Sequence, residues 1–545
     1  MPAPLQPLLK EAMAHHQAGR LQEAEQLYQQ ILRAEPDHAE ALHLLGLVAY
    51  RVGDNEKASE LIAQAIQRSP RNPLFHFNLG VVRQKQDRFD EAVASYEQAV
   101  SLNPQYLEAQ NNLGNAYRDQ GKLEQAVASY RAALRIKPDY AEAHNNLGVA
   151  LKELGRLHDA LASYEQALSL NPNHAEANCN RGIVLKEQHK LDEAVASFQQ
   201  ALKIKPDYAK AHHNLGLAFL WQWRPDLAVL SLRQSADLQH NHGRTSQKAS
   251  VSKSRLKHDA EQIRYLLDDD RIPRTHASYL EKLTQLRERA GREAHSSTRL
   301  MIGQSELAGI APSFNRILHY AECPALSQGA LNPNLDVEAI EARYHATKPE
   351  IMYVDELLRE EALSSLRQFC LESTIWKKDY ENGYIGAFLG EGFVCPLLLQ
   401  ISEELRVKFP GIFKDYLLNQ AWAFKYDSEL TGLNIHADAA AVNVNFWITP
   451  DEANLDPARG GLVVWDKEAP REWNFKEYNS EKNEPKIRAF LQSVGANAVT
   501  IPYRQNRAVI FNSDLFHQTD HFTFKDAYES RRINVTLLYG NRLTA

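Results

Sequence analysis

The sequence predicts a multidomain protein, in which an all-α superhelix of repeats precedes a double-stranded β-helix (jelly-roll) domain with flanking helices. A 34-residue spacing recurs through the first 240 residues. After about residue 380 the chain consists of short runs rich in Val, Ile, Phe and Thr, broken by Gly, Pro, Asn and Asp, which is typical of antiparallel strands. All seven tryptophans lie after residue 220, so the two parts also differ in composition.

Length and composition narrow the class of protein. A chain of 545 residues is longer than one typical domain of about 100–200 residues. Hydrophobic residues make up 44% and charged residues 24%, which excludes wholesale disorder. The formal net charge of −7 argues against a general nucleic-acid-binding protein. Four cysteines, none at CxxC spacing, do not form a disulfide framework.

The first stretch, MPAPLQPLLKEAMAHHQ, has neither the apolar run nor the cluster of positive charge of a secretory signal. Nowhere is there a run of about 18 apolar residues, which a membrane span would need. We therefore expect a cytoplasmic protein without membrane or nucleic-acid partners.

Proline, glycine and alanine each recur at intervals of 34 residues. Glycine and alanine suit positions where two helices approach closely, and proline ends a helix because it has no N–H to donate. A helix hairpin cannot bury its apolar face alone, so such units stack into a solenoid. The recurring positions are Pro36, Pro70, Pro104, Pro138, Pro172 and Pro206, then Gly46, Gly80, Gly114, Gly148, Gly182 and Gly216, and then Ala24, Ala58, Ala92, Ala126, Ala160, Ala194 and Ala228.

This pattern resembles the tetratricopeptide repeat and covers about residues 5–242 in seven units. The resemblance implies a protein-interaction module. The usual first-helix tryptophan is absent, being replaced by Leu, His, Gln or Asn. Trp221 and Trp223 fall in the last unit, where an aromatic patch suits docking to the neighbouring domain.

An asparagine stands two residues before most of the repeat glycines. Its amide has two donors and one acceptor, which suits pairing with the backbone of an extended peptide. The arrangement resembles the asparagine ladder of the nucleocytoplasmic O-linked N-acetylglucosamine transferase superhelix, which implies a protein or peptide client in the repeat groove. Duplication of one ancestral unit would also copy the asparagine without any such role. The residues are Asn78, Asn112, Asn146, Asn180 and Asn214.

Residues 243–345 are expected to form a linker and a helical bridging region. The polar segment 241–257 has no apolar period and is predicted to be a linker or a frayed connection. The segments HDAEQIRYLLDD and SYLEKLTQLRERAGRE are helical by periodicity, whereas residues 308–350 allow no assignment. Residues 346–545 are predicted to form the jelly-roll domain.

The strands of this second domain carry a candidate metal site. His436 and Asp438 are two residues apart on an extended segment, so their side chains share a face. His517 follows a β run 79 residues after Asp438. Two histidines and one carboxylate can occupy one face of an octahedral Fe(II) and leave three positions open.

A polar stripe follows on the last predicted strand. Arg532, Asn534 and Thr536 share one face of that strand. An arginine inside an apolar barrel needs a buried anion, and its guanidinium matches a carboxylate.

Together, these residues resemble the Fe(II)/2-oxoglutarate-dependent oxygenases, in particular the prolyl-hydroxylase-like group, over roughly residues 350–545. The resemblance implies that His436, Asp438 and His517 bind Fe(II). It implies that the 1-carboxylate and keto oxygen of 2-oxoglutarate chelate the iron, that Arg532 pairs with the distal carboxylate, and that O2 is the second co-substrate. Asn534 and Thr536 are assigned to the same co-substrate site.

The sequence departs from the commonest family pattern, because Arg532 lies fifteen residues past His517 rather than about ten, where Ala527 stands. Arg532 is chosen over Arg531, which is expected at the surface, since Arg532 shares the face of the polar stripe. Tyr426 resembles the tyrosine that holds the co-substrate in prolyl hydroxylases, although an ordinary half-buried strand tyrosine is the alternative.

Other residues near the candidate site have weaker signals. Asn443, Asn445 and Trp447 share a strand face and are expected to line the active site. The pair Gly460-Gly461 matches the turn that leads into a strand in the family. His521 is expected at the surface or behind the metal ligands.

Three functions remain open from the sequence. The first is a dioxygenase that hydroxylates a protein or peptide side chain recruited by the repeats. The second is an interaction scaffold whose β domain is inactive or senses 2-oxoglutarate. The third is an oxygenase that acts on a small molecule and uses its repeats for assembly.

Overall fold

The computed structural model describes residues 5–241, 249–292, 299–380, 382–413, 416–430 and 435–542. The chain divides into two compact units, Met1–Pro206 and Asp207–Ala545. None of the helices in the described ranges has the length and apolar character needed to cross a membrane.

The first unit consists of helices paired as hairpins, which confirms the prediction of a repeat array. They are α1 (Leu5–Gln17), α2 (Leu21–Ala34), α3 (Ala39–Arg51), α4 (Asn55–Arg68), α5 (Pro73–Lys85), α6 (Phe89–Leu102), α7 (Leu107–Asp119), α8 (Leu123–Ile136), α9 (Ala141–Glu153), α10 (Leu157–Leu170), α11 (Ala175–Glu187) and α12 (Leu191–Ile204).

The repeat glycines lie where the two helices of a hairpin meet. A Cβ added to Gly114 would lie 2.5 Å from the Tyr130 ring, and one added to Gly182 would lie 2.6 Å from Phe198. Both distances are shorter than real Cβ contacts allow. The recurring alanines are completely buried. Close packing inside each hairpin therefore explains the two small residues of the repeat.

The second unit contains the remaining helices. They are α13 (Ala209–Trp221), α14 (Pro225–His240), α15 (Lys253–Asp268), α16 (Ala277–Arg292), α17 (Gln304–Ile310), α18 (Val337–Ala346), α19 (Glu360–Glu372), α20 (Pro396–Lys408), α21 (Pro410–Phe413), α22 (Phe475–Tyr478) and α23 (Glu484–Ser493).

The last repeat hairpin, α13 and α14, belongs to this second unit. The indole Nε1 of Trp221 donates to the Leu418 carbonyl at 2.9 Å. The Arg406 guanidinium lies 4.4 Å from the centre of the Trp223 ring. The predicted docking role of the two tryptophans is confirmed by these contacts.

The predicted linker is wrong over most of its length. Residues 242–248 lie outside the described residues, but 249–257 form strand β1 (Ala249–Ser252) and the start of α15. Strand β1 pairs antiparallel with β2 (Arg299–Ile302). The Ser252 hydroxyl accepts from the Arg255 N–H at 3.1 Å, so a side-chain cap starts the helix.

The rest of the second unit is rich in antiparallel β-structure, as predicted. Its strands are β3 (Ile351–Val354), β4 (Lys378–Asp379), β5 (Tyr384–Phe388), β6 (Leu418–Tyr426), β7 (Glu429–Leu430), β8 (Val442–Trp447), β9 (Leu462–Glu468), β10 (Ala498–Ile501), β11 (Ala508–Asn512), β12 (Leu515–Thr519), β13 (Phe522–Thr523) and β14 (Ile533–Tyr539).

Seven strands form one large sheet in the order β3-β11-β8-β14-β6-β5-β4. A smaller sheet has the order β10-β9-β12, and β13 pairs with β7. One buried cluster contains Tyr426 and Trp447 of the large sheet together with Leu462 and Val464 of the smaller one. The two sheets therefore share a core, and the candidate site lies at its edge.

Candidate active site

Three predicted metal ligands meet in the second unit. One ligand atom from each of His436, Asp438 and His517 lies within 4.8 Å of the others, and no other group of this kind occurs among the described residues. The His517 Nε2 lies 3.4 Å from Asp438 Oδ2, and the His436 Nε2 lies 4.0 Å from Asp438 Oδ1. The site combines two imidazoles and one carboxylate, a donor set that suits a divalent transition metal.

Hydrogen bonds orient the two buried ligands. The Nδ1 of His517 lies 3.1 Å from the Leu515 carbonyl, and because a carbonyl only accepts, this nitrogen carries the proton and Nε2 keeps its lone pair. The Asn443 amide donates to Asp438 Oδ2 at 2.8 Å. Asn479 donates to the Ala437 carbonyl at 2.7 Å.

The Asp438 carboxylate is held in its charged form. Burial alone would raise the pKa of Asp438, but the adjacent imidazoles of His517 and His436 and the Asn479 amide outweigh it and lower this pKa below its usual value. A charged carboxylate is the form that binds a metal.

Arg532 is a buried cation whose hydrogen-bond acceptors are neutral. It is 1% exposed. Its guanidinium donates to the carbonyls of Gly460 and Gly461 at 2.7 and 3.3 Å and lies 3.4 Å from Asn534 Oδ1. Within the described part of the chain, no carboxylate lies at ion-pair distance from it. Because a buried charge without a counter-ion is costly, this site fits an anionic ligand.

Tyr426 packs directly against this arginine. The guanidinium carbon lies 4.7 Å from the centre of the Tyr426 ring, and the tyrosine hydroxyl lies 3.3 Å from Thr519 Oγ1. At 1% exposure, Tyr426 is fully buried rather than half-buried.

The predicted polar stripe is a chain of hydrogen bonds. The Asn534 amide reaches Thr536 Oγ1 at 3.4 Å, and the Asn445 amide reaches the same oxygen at 3.0 Å. Asn443 Oδ1, Asn445 Oδ1 and Trp447 Nε1 are buried without a hydrogen-bond partner among the described residues. Buried polar atoms are rarely left unsatisfied. Of these three, only the Trp447 N–H, whose ring lies 5.8 Å from the Arg532 guanidinium carbon, can donate to an anion, because the two amide oxygens are acceptors.

An open cavity of about 280 Å³ adjoins His436 and Asp438. Its walls are largely aromatic: Tyr380, Tyr384, Phe388, Trp422, Phe424 and Phe475. Asn443, Asn445 and Trp447 do not line it; Asn443 supports the carboxylate ligand instead. The alternating aromatic residues Trp422, Phe424 and Tyr426 on β6 are the only sign of this aromatic wall in the sequence, and the cavity itself was not predicted from them.

Arg531 does not lie at the surface, so that expectation is wrong. Its side chain is 5% exposed and forms an ion pair with Glu261 at 2.6 Å. The partner is far away in the sequence, which is why no local pattern indicated it. His521, in contrast, is exposed, as expected.

Three of the repeat asparagines bond to polar side chains of the preceding unit that are not themselves members of the line of five. The Asn146 amide donates to Asn111 Oδ1 at 3.2 Å, and the Asn180 amide donates to Asn145 Oδ1 at 3.1 Å. Asn78 lies 2.7 Å from a ring nitrogen of His43.

The five asparagines also differ in exposure. Asn180 and Asn214 are buried, whereas Asn78, Asn112 and Asn146 are half-buried. The line of amides therefore connects the units, and only its first three members present surface to a client.

Comparison with known proteins identifies the repeats. A model described as TPR repeat matches residues 114–155 and 185–222. Models of the tetratricopeptide repeat match residues 141–174, residues 9–73 and 43–106, and residues 95–128 and 163–196. Residues 9–222 are therefore tetratricopeptide repeats, a class of protein-interaction module. None of the curated proteins matches the chain.

Several solved structures resemble the repeat region. A tetratricopeptide repeat protein from Parabacteroides merdae is 18% identical, with 44% of this chain and 94% of that chain covered and a TM-score of 0.38. The MamA protein is 23% identical, with 32% and 94% covered and a TM-score of 0.30. YrrB, described as a TPR protein with an unusual peptide-binding site, is 25% identical, with 34% and 95% covered and a TM-score of 0.29.

Proposed function

We propose that the second unit is an Fe(II)/2-oxoglutarate-dependent dioxygenase built on a jelly roll, and that it oxidises a protein or peptide side chain recruited by the repeats. One observation carries the proposal. His517 lies on β12, and His436 forms a β-bridge with it beside Asp438, while the buried Arg532, which has no carboxylate partner among the described residues, directly precedes β14. A metal site or a buried arginine alone would be compatible with many functions, but their combination suits a metal that works with a dicarboxylate.

The roles of the residues follow from their contacts. His436, Asp438 and His517 would hold Fe(II), which, together with 2-oxoglutarate and O2, supplies the oxidation of a substrate C–H bond with release of succinate and CO2. Leu515 fixes the tautomer of His517, and Asn443 keeps the Asp438 carboxylate in place.

The co-substrate carboxylate would lie against Arg532. Tyr426, Asn534 and Thr536 surround this guanidinium or continue its hydrogen-bond chain. Burial removes water from the site, which strengthens charge-assisted hydrogen bonds to a carboxylate.

The residues that line the aromatic cavity favour a substrate side chain without charge. Among its described lining residues there is no lysine, arginine or glutamate, and its one carboxylate belongs to Asp438. An anionic side chain would lose its hydration there without gaining a counter-ion, and the one carboxylate that a cationic side chain could pair with would be occupied by the metal. An apolar or aromatic side chain would instead bury surface against Trp422 and Phe424.

The repeat unit supports a protein client rather than a small molecule, since tetratricopeptide repeats are protein-interaction modules. Asn112 is half-buried, and its replacement by alanine is expected to weaken client binding. Asn180→Ala is the matched control, because Asn180 is buried and bonded to Asn145. If both variants weaken client binding only in proportion to their loss of thermal stability, the asparagines stabilise the repeats and do not contact the client.

The direct test is succinate formation from 2-oxoglutarate in the presence of Fe(II) and O2. We expect turnover by the wild-type chain and none by His436→Ala, while His521→Ala, at an exposed histidine, should retain it. Absence of Fe(II)-dependent turnover, with and without client, in well-folded wild-type protein would refute the dioxygenase.

A second candidate function is an interaction scaffold with an inactive or 2-oxoglutarate-sensing β domain. The observation that favours it is that the family matches all lie in the repeats, within residues 9–222. Metal analysis separates the cases, because an inactive domain would hold no stoichiometric iron and a sensor would bind iron and 2-oxoglutarate without turnover.

A further inference from the structure

Within the second unit, helix α15 contacts the large sheet near Tyr426 and Arg532. Successive residues of a strand point to opposite faces. Tyr426 and Arg532 contact each other, whereas their neighbours Asp427 and Arg531 contact α15 instead. Helix α15 therefore contacts this part of the chain on the side opposite to the Tyr426 and Arg532 side chains.

The main contact is a buried ion pair. The Nε and Nη2 atoms of Arg531 both donate to Glu261 Oε2, at 2.9 and 2.6 Å. Only 5% of the Arg531 side chain and 18% of the Glu261 side chain are exposed. Charge-assisted bonds of this kind are strong and directional when they are shielded from water.

The same arginine also ties β6 to the start of β14. Its Nη1 lies 3.4 Å from the Tyr426 carbonyl and 3.4 Å from Asp427 Oδ1. Lys257 of α15 donates to this Asp427 oxygen at 2.8 Å. Next to these contacts, the Tyr426 N–H donates to the Arg532 carbonyl at 3.0 Å.

We infer that Glu261 is a positioning residue for the 2-oxoglutarate site, acting through Arg531 on the backbone of Arg532 and Tyr426. The inference rests on the proposed function. Without Glu261, the buried Arg531 guanidinium loses its main counter-ion and is drawn towards Asp427, which shifts the chain that carries the adjacent Arg532. None of the described contacts of this network involves His436, Asp438 or His517, so we expect iron binding to be retained.

The test is calorimetric titration of 2-oxoglutarate into anaerobic, Fe(II)-loaded, full-length protein. We expect Glu261→Gln to raise the Kd about tenfold, the lower end of the effect typical of residues that support a ligand-binding side chain. The charge-retaining Glu261→Asp should recover part of the affinity. In turnover assays, Glu261→Gln should raise the KM for 2-oxoglutarate and change kcat little.

Asp259→Asn is the matched control on the same helix. Asp259 pairs with Arg255 of α15 and not with Arg531, so this variant disturbs the helix but leaves the Kd unchanged. If Glu261→Gln does not fold, Lys257→Gln serves as the second variant, with a smaller rise in Kd expected through Asp427.

Each result decides a separate point. Equal affinity in wild type and Glu261→Gln would overturn the positioning role, and so would an equal loss in Asp259→Asn. Absence of 2-oxoglutarate binding by the wild-type chain would instead refute the proposed function.

Discussion

His436 and His517 are hydrogen-bonded backbone partners as well as neighbouring side chains. The His436 N–H donates to the His517 carbonyl at 3.1 Å, and the His517 N–H donates back at 2.8 Å. Their ring centres lie 4.4 Å apart. Because this antiparallel bridge joins the two backbones, it holds the two imidazoles side by side, as two ligands of one metal must be.

The first prediction concerns metal content. His517→Ala and Asp438→Asn are expected to lose stoichiometric iron after loading with Fe(II), because each removes one of three protein ligands. Elemental analysis of the desalted protein measures this loss. His521→Ala, four residues from His517 and exposed, should keep its metal; equal metal in all the variants would place any metal elsewhere.

The second prediction concerns the support of the carboxylate ligand. Asn443→Ala removes the 2.8 Å bond to Asp438 Oδ2 and is expected to weaken Fe(II) or Mn(II) binding about 10- to 100-fold. Competition with a chelator measures the affinity. Asn445→Ala is the matched control on the same strand face, since Asn445 bonds to Thr536; an equal loss there would show that the effect is not specific to Asp438.

Structural features that depend on residues close together in the sequence can be predicted from it, whereas contacts between residues far apart in the sequence cannot. The repeat spacing is visible because each unit contains its own packing contact, such as Gly114 against Tyr130. The proximity of His436 and Asp438 follows from strand alternation alone. The Arg531–Glu261 ion pair joins residues separated by 270 positions, and neither residue has a local feature that indicates the other, so only the fold reveals it.

The third prediction concerns where the chain can be cut. Residues 207–545 are expected to fold and to retain Fe(II)-dependent 2-oxoglutarate turnover, whereas 243–545 should be less stable. The shorter fragment lacks α13 and α14, and therefore loses the hydrogen bonds from Trp221 to Leu418 and from Gln239 to Gly390. Thermal unfolding and succinate formation measure both properties.

The same fragments separate the two classes of substrate. Oxidation of a protein client should be lost from residues 207–545, because most of the repeats are missing. Retention of full activity on the natural substrate would favour the small-molecule alternative.

The fourth prediction concerns Gly461, which precedes β9. A Cβ at this position would lie 1.8 Å from the Ile501 carbonyl oxygen, and a backbone atom in a sheet cannot move aside as a side-chain end can. Gly461→Ala is therefore expected to lower the free energy of unfolding by about 3 kcal/mol, the upper end of the range typical of overpacked cores. Gly291→Ala, with no atom near its added Cβ, should be neutral or slightly stabilising; similar stability of the two variants in denaturant titrations would contradict the prediction.

The fifth prediction concerns pH and Asp514. Burial raises the pKa of Asp514 to about 6, with Glu468 adding to the rise and the nearby Arg542 opposing it. An unfolded aspartate has a pKa of about 3.9, so the folded protein binds the extra proton between these values and loses stability as pH rises through about 6. Asp514→Asn cannot ionise and escapes this loss. We expect its melting temperature to exceed that of wild type by a few degrees at pH 7 and the gap to shrink towards pH 4, as measured by calorimetry; a gap that stays constant with pH would mean that Asp514 does not titrate in this range.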